Sequence, residues 1–235
     1  MNAPWEKDLG RCRLCEHLCE ADRLAGEKGV CRMGGPVVAS RTLHPAPPES
    51  FTVFTAGCNF KCLNCQNWTI SQYPDNGQAV DGWVDPEALA AESLREMASW
   101  YGRHMRADRI FFSGGEPTVH LPYLEQVVAA ARRMNPAAKV NFDTNGFMTE
   151  ASLDRVLALA TSITFDIKAF EDETHRALTG APAGPVLRNA EIVARRAPGK
   201  LWEYRVVVIP GINEADIGPI CRFLAGISKD LPVCF

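Results

Sequence analysis

Six short apolar runs, each followed by a stretch of helical periodicity, constrain the fold of this 235-residue chain most strongly. They lie at 51–56 (FTVFTA), 109–113 (RIFFS), 139–143 (KVNFD), 162–167 (SITFDI), 203–209 (EYRVVVI) and 231–235 (LPVCF). Each is rich in β-branched or aromatic residues, the pattern of strands buried on both faces in a parallel sheet. Helical patterns fill the gaps. The stretch 86–101 opens on Asp85-Pro86, an N-cap and first-turn pair, and 121–134 stops at Asn135-Pro136. Another, 149–160, sets Leu153, Val156 and Leu157 on one side, and 172–179, 185–196 and 214–227 complete the series. Right-handed crossovers between parallel strands leave two architectures, a barrel or an open doubly wound sheet. In both, ligands bind at the C-terminal strand ends. The unusual residues fall there: Cys58 to Cys65 after the first run, Gly114-Gly115-Glu116-Pro117 after the second, then Asp143-Thr144-Asn145-Gly146, Asp166-Ile167-Lys168 and Pro210-Gly211-Ile212-Asn213.

Seven of the nine cysteines lie in the first 65 residues. The odd count, and an N-terminus MNAPWEKDLGRCRLC with no apolar signal core, argue against a disulfide framework. Tight spacing in a reducing compartment points instead to metal or iron–sulfur ligation. Cys58, Cys62 and Cys65 have the spacing C-x3-C-x2-C. Three thiolates suit a [4Fe-4S] cluster with one iron left open, while a zinc site completed from afar and unrelated core cysteines remain alternatives. Cys12, Cys15, Cys19 and Cys31 supply four more thiols in a segment too small to fold around its own core, so zinc or a second iron–sulfur cluster is expected there. His17 lies among them and is not required as a ligand. HPAPP at 44–48 reads as a stiff linker, dividing a metal-binding leader (1–48) from the core (49–235).

A hydrophobic fraction of 46% with 23% charged residues is ordinary globular usage. A net charge of −3 gives no electrostatic reason to bind nucleic acid, and no run approaches the roughly 18 apolar residues of a membrane span. A soluble cytoplasmic protein without nucleic-acid or membrane partners is expected.

C-x3-C-x2-C after a first strand and GGEP after a second resemble the radical S-adenosylmethionine (radical SAM) superfamily. GCNFKCLNCQNWTISQ, DTNGF, DIKAF and RVVVIPGIN are similar to its branch of pyruvate formate-lyase activating enzymes, over roughly residues 51–235. The resemblance implies a partial (β/α)6 TIM-like barrel behind a small N-terminal Cys-rich metal-binding segment. It implies an iron–sulfur oxidoreductase that reductively cleaves S-adenosylmethionine to a 5′-deoxyadenosyl radical and abstracts hydrogen from a protein or peptide, served by flavodoxin or ferredoxin. Modification of a small molecule or another protein residue, including methyl transfer, is an alternative, and a non-catalytic electron carrier a second one. By the same resemblance Cys58, Cys62 and Cys65 would ligate the [4Fe-4S] cluster. Gly114, Gly115, Glu116, Asn145 and Lys168 would bind the cofactor, and Asp143, Thr144 and Asp166 a monovalent cation.

Asn64 stands where the superfamily commonly has an aromatic residue, which shifts adenine contact to backbone or to Phe60 and Trp68. The chain ends in the sixth run, so an open rim or a shortened sixth unit is expected there. Cys221 and Cys234 read as small buried hydrophobes. His175 reads as a surface helix residue, and Arg103, His104, Arg106 and Arg109, like Arg195 and Arg196, as solvated faces.

Overall fold

The computed structural model describes residues 6–75 and 78–235; the opening residues read for an export signal lie partly outside these. Seven strands form one sheet: β1 (Val38–His44), β2 (Ser50–Thr55), β3 (Arg109–Gly114), β4 (Lys139–Thr144), β5 (Ser162–Asp166), β6 (Leu201–Arg205) and β7 (Val233–Cys234). Strands β2 to β7 fall on the six apolar runs, all parallel and paired in chain order, but β6 starts at Leu201 and ends at Arg205, so residues 206–209 of the fifth run leave the sheet. That order separates the two architectures. A doubly wound sheet reverses its strand order at a switch point, whereas here every crossover adds the next strand on the same side, as in a barrel. The architecture is a partial TIM-like barrel, α/β as expected.

Strand β1 is the element that periodicity does not reveal. VASRTLH carries Arg41 and three other polar side chains, and it pairs antiparallel with β2, with a register shift between Val38 and Ser40. Only one side of this edge strand meets the core, so it lacks the apolar run of its neighbours.

Helices Pro86–Ala98, Leu121–Met134, Glu150–Leu159, Gly184–Arg196 and Ile217–Ile227 follow successive strands and pack neighbour against neighbour. Asp85 caps the first by accepting from the Glu87 and Ala88 amides, both at 3.0 Å. That helix ends at Ala98, short of the expected 101, because Ser99 starts a separate turn by accepting from the Gly102 amide at 3.0 Å. A Cβ at Gly102 would stand 2.3 Å from the Glu96 carbonyl oxygen, so this break needs glycine. Val53, Ile110, Phe112, Val140, Phe142, Ile163 and Phe165 are buried between sheet and helices, beside Leu89, Leu124, Val156 and Val193. Each large side chain buried this way contributes about 1.5–3 kcal/mol.

The cysteine-rich segment is tied into the same core. Leu9 and Leu14 belong to it. The Glu16 amide donates to the Phe147 carbonyl at 3.1 Å, the Thr149 amide to Leu14 at 3.2 Å, and Arg188 pairs with Glu16 at 2.6 Å.

Two surface expectations and the burial expected of Cys221 and Cys234 are corrected. His175 is fully buried, its Nδ1 donating to the Ala181 carbonyl at 2.6 Å and its ring 5.4 Å from that of Phe60, because its helix turns inward under the cysteine loop. Arg109 is largely covered: it pairs with Asp108 at 2.6 Å and lies 5.1 Å over the Trp202 ring. Cys221 and Cys234 are exposed, one on the outer face of the last helix and the other on the short edge strand β7.

Candidate functional site

The loop after β2 carries three cysteines and takes its shape from outside itself. The Lys61 amide donates to Thr179 at 2.8 Å and the Leu63 amide to Leu178 at 3.0 Å, so the loop hangs on the end of helix Asp172–Thr179. That helix stops at Gly180 in the left-handed conformation, which opens its last carbonyls to the loop. Cys58 Sγ accepts from the Phe60 amide at 3.3 Å and from Asn145 Nδ2 at 3.8 Å, and Cys65 Sγ lies 3.3 Å from Ser71 Oγ. Donors aimed at sulfur favour thiolate. Against them, burial pushes the Cys58 thiol well above its ordinary range, and that of Cys62 up to about 11 while the nearby Lys168 charge pulls it down. Thiolates buried in this way become stable when they bind a soft metal centre.

The loop after β3 is built around Glu116, which is 1% exposed. Its Oε1 accepts from the Thr118 amide at 3.1 Å, the Thr118 hydroxyl at 2.7 Å and the Thr144 hydroxyl at 2.8 Å, while Oε2 accepts from the Asn145 amide at 2.8 Å. The carboxylate therefore staples the loop after β3 to the loop after β4. Burial raises its pKa to about 7, against these four donors. Asn145, held by this staple, passes the constraint on by donating to Asn59 Oδ1 at 2.7 Å, next to Cys58.

Beside Glu116, Gly115 is closed in by backbone. A Cβ there would lie 2.0 Å from the Gly57 carbonyl oxygen. Gly115→Ala is expected to cost about 2 kcal/mol or more, read as a lowered Tm, because rigid backbone must part. Gly35→Ala, where a Cβ meets nothing within 4 Å, should leave Tm unchanged. Equal Tm values for the two variants would show that the two loops are not packed in this way.

At the ends of β4 to β6 the charges alternate. Lys168 Nζ donates to Asp166 at 2.8 Å, and Ser113 to Asp143 at 2.7 Å. Arg205 approaches Asp143 at 3.4 Å, Asp166 at 4.0 Å and Glu203 at 3.4 Å. Burial, reinforced by the neighbouring Asp166 charge and opposed by Arg205, raises Asp143 to about 6. Burial works against the charge on Lys168, but Asp166 outweighs it and its pKa rises.

These strand ends surround one cavity of about 590 Å³. Cys58, Cys62 and Cys65 line it with Gly114, Gly115 and Glu116, Asp143 and Asn145, and Asp166 and Lys168. Thr144 does not line it, because its hydroxyl is turned to Glu116. Phe60 lines the wall, whereas Trp68 does not. Sequence reasoning passed over Arg205 and Glu203, which also line the cavity. The signal was the charged pair Glu203 and Arg205 at the head of the apolar run EYRVVVI, which the structure puts at the end of β6.

The four leader cysteines lie outside this cavity. Cys12 exchanges backbone bonds with Glu20 and Ala21, both at 3.0 Å, and the Leu18 amide closes a turn onto Cys15 at 3.0 Å. His17 Nε2 donates to the Asn59 carbonyl at 2.8 Å. Among the described residues no three His, Cys, Asp or Glu side chains are gathered around the position of a single ion, in the barrel loop or in the leader.

The Radical SAM superfamily model matches residues 52–224. The pyruvate formate-lyase-activating enzyme of Staphylococcus epidermidis is 30% identical over 178 residues, covering 72% of this chain and 65% of that enzyme. The isethionate sulfite-lyase activating enzyme of Oleidesulfovibrio alaskensis is 31% identical over 123 residues, 52% of this chain and 39% of that enzyme. An uncharacterized protein of Methanocaldococcus jannaschii is 29% identical over 169 residues, 69% of this chain and 46% of its own length. The chain thus spans between 39% and 65% of these relatives. Among solved structures, Streptococcus suis SuiB bound to precursor peptide SuiA has a TM-score of 0.50 at 14% identity, covering 72% of this chain and 35% of that one, a likeness of fold.

Proposed function

The chain belongs to the radical SAM superfamily, and from that premise we propose that its rim is the site of reductive S-adenosylmethionine cleavage feeding hydrogen abstraction from a protein or peptide. The observation that carries this reading is the convergence of three thiols, two glycines without side chains and a half-buried ammonium on one cavity. The residues fit the groups that the family implies. Three thiols leave one iron of a [4Fe-4S] cluster free for a further ligand. Asp143 Oδ1 and Asp166 Oδ1, both on the cavity, are buried without a hydrogen-bond partner.

When bound, the cluster and S-adenosylmethionine supply a one-electron cleavage of the carbon–sulfur bond, giving methionine and a 5′-deoxyadenosyl radical. Cys58, Cys62 and Cys65 would hold the cluster, with the Phe60 amide and Asn145 directing their protons toward Cys58 sulfur. Gly114 and Gly115 expose backbone to the methionyl end. Glu116, with both oxygens engaged by protein donors, positions Asn145 and the glycine loop. Lys168 offers its ammonium to a carboxylate. Asp143 and Asp166 remain the proposed holders of a monovalent cation, in competition with Arg205 for the two Oδ1 atoms, while Lys168 occupies Oδ2 of Asp166. Phe54, Phe60 and Phe111 form an apolar wall that limits water near the reacting atoms.

The two relatives named as activating enzymes support a protein or peptide substrate. An electron donor of the flavodoxin or ferredoxin type, acting in the cytoplasm, belongs to this reading. No helix among the described residues is long and apolar enough to cross a membrane.

Anaerobically reconstituted protein given dithionite or reduced flavodoxin should form 5′-deoxyadenosine and methionine, measured by chromatography. Binding of S-adenosylmethionine without cleavage under both reductants would replace the enzyme by an electron carrier. With a candidate partner protein deuterated at glycine, deuterium should appear in 5′-deoxyadenosine. Cleavage without that transfer would overturn the activase-like substrate and leave the cleavage chemistry standing.

A further inference from the structure

We propose that Cys12, Cys15, Cys19 and Cys31 hold a second metal centre, a zinc ion or an iron–sulfur cluster bound by four thiolates, whose negative charge is balanced by buried Arg23. The backbone folds the two segments that carry them, 12–19 and 29–31, against each other. Cys12 pairs with Glu20 and Ala21 and so sits beside the turn that carries Cys19. Gly29 packs so closely on Cys19 that a Cβ would stand 2.9 Å from Sγ, and the Arg32 amide donates to Gly29 at 2.9 Å, closing the turn that holds Cys31. The Val30 amide also donates to Cys19 Sγ at 3.4 Å. Cys15 joins them through the turn in which the Leu18 amide donates to its carbonyl at 3.0 Å, directly before Cys19.

Arg23 gives an independent pointer. Its side chain is 2% exposed, with Nε donating to Gly34 at 2.9 Å and Nη1 to Val119 at 2.7 Å. Nη1 also reaches Cys12 Sγ at 3.8 Å, while Nη2 has no partner. No carboxylate among the described residues lies within the 4.0 Å of an ion pair with it. A buried guanidinium without a counter-charge is strongly destabilising, and four neutral thiols do not supply one. A metal centre ligated by four thiolates does, whether it is a single divalent ion or a cluster. Leu18, Glu20 and Arg32, flanking Cys19 and following Cys31, have left-handed backbones (φ 46, 52 and 58). Side chains strain this backbone conformation, and metal–sulfur bonds can offset that strain. Because no three of the thiols are yet gathered around one ion position, binding draws them inward.

The site would also act on the barrel. His17 lies between Cys15 and Cys19 and donates to the Asn59 carbonyl, next to Cys58, and Glu16 is tied to Phe147. Closing the leader around a metal therefore braces the cysteine loop from behind. This inference stands apart from the proposed cleavage chemistry.

The test uses the full chain with Cys58, Cys62 and Cys65 replaced by Ala, isolated anaerobically from medium supplied with iron and zinc. With the leader intact, metal analysis should find about one zinc or about four irons per chain. Zinc identifies a single ion, and iron with charge-transfer absorption identifies a cluster. Adding Cys19→Ser, at an exposed position, should abolish that metal and make residues 6–35 sensitive to protease. Cys221→Ala with Cys234→Ala should change neither. In chelator competition, Arg23→Met should weaken retention about tenfold or more and Arg23→Lys should recover part of it, consistent with loss of a charge-assisted contact. Equal metal content with and without Cys19→Ser would overturn the site. Unchanged retention in a folded Arg23→Met variant would overturn the role of Arg23, and if that variant does not fold, the Cys19→Ser comparison decides.

Discussion

Replacing Cys58, Cys62 and Cys65 together by Ala is expected to abolish both the S-adenosylmethionine-responsive signal of the reduced protein and 5′-deoxyadenosine formation, while the barrel remains folded. The three side chains meet at one cavity, and no other cysteine lines it. The backbone of their loop is held from elsewhere, by Thr179 and Leu178, so its shape does not depend on the sulfurs. Asn145 loses its contact with Cys58 but keeps Asn59 Oδ1 at 2.7 Å. Removal of one small buried sulfur at Cys58 costs about 1 kcal/mol, a small fraction of the stability of such a domain. Circular dichroism and Tm should thus stay near those of the parent, while paramagnetic resonance of the reduced protein shows no change on adding S-adenosylmethionine. A triple variant that keeps a cofactor-responsive cluster would show that the open iron is held elsewhere.

Glu116→Ala has the second largest expected effect, and it acts on the fold. Four donors converge on this carboxylate: two from Thr118, one from Thr144 and one from Asn145. Truncation leaves at least two backbone amides buried without an acceptor, at roughly 1–3 kcal/mol each. A loss of about 3 kcal/mol or more, or a Tm lower by about 6–12 °C, should result. Iron retention should fall with it, since Asn145 links this staple to the Cys58 turn. Glu116→Gln keeps the volume but offers a donor where one acceptor stood, so its loss should be intermediate.

The pH dependence separates charge from shape. Burial raises Glu116 from 4.5 to about 7, so between these values the folded protein holds a proton that the unfolded chain has released. The stability this contributes is fully present below about pH 4.5 and is lost as pH rises through about 7. Asp143, raised from 3.8 to about 6, acts in the same direction over a lower window. Glu116→Gln should flatten the fall in stability between pH 6 and 7 and leave the part due to Asp143. An unaltered slope across that interval would mean that Glu116 is ionised throughout.

Sequence by itself determined the parallel strands, the helices between them and the strand ends where chemistry gathers. These rest on local properties: β-branched apolar runs, Asp85-Pro86 as a helix start, Asn135-Pro136 as a helix stop. The candidate cysteines were legible for the same reason, since their spacing lies within one loop. Sequential strand order was not legible, because the same run of strands and helices serves a barrel and a doubly wound sheet equally, and only pairing separates them. Strand β1 escaped because an edge strand buries one side and needs no apolar run. Cys221 and Cys234 are typical core residues by type, yet each points away from the core, and type does not encode orientation. His175 looked like a surface residue in a polar helix until that helix turned under the cysteine loop. Arg205 meets Asp143 and Asp166, and Glu116 meets Thr144 and Asn145, across loops from different strands. Such long-range charge pairs and hydrogen bonds carry no periodic trace along the chain, so the tertiary structure alone decided which polar groups share a site.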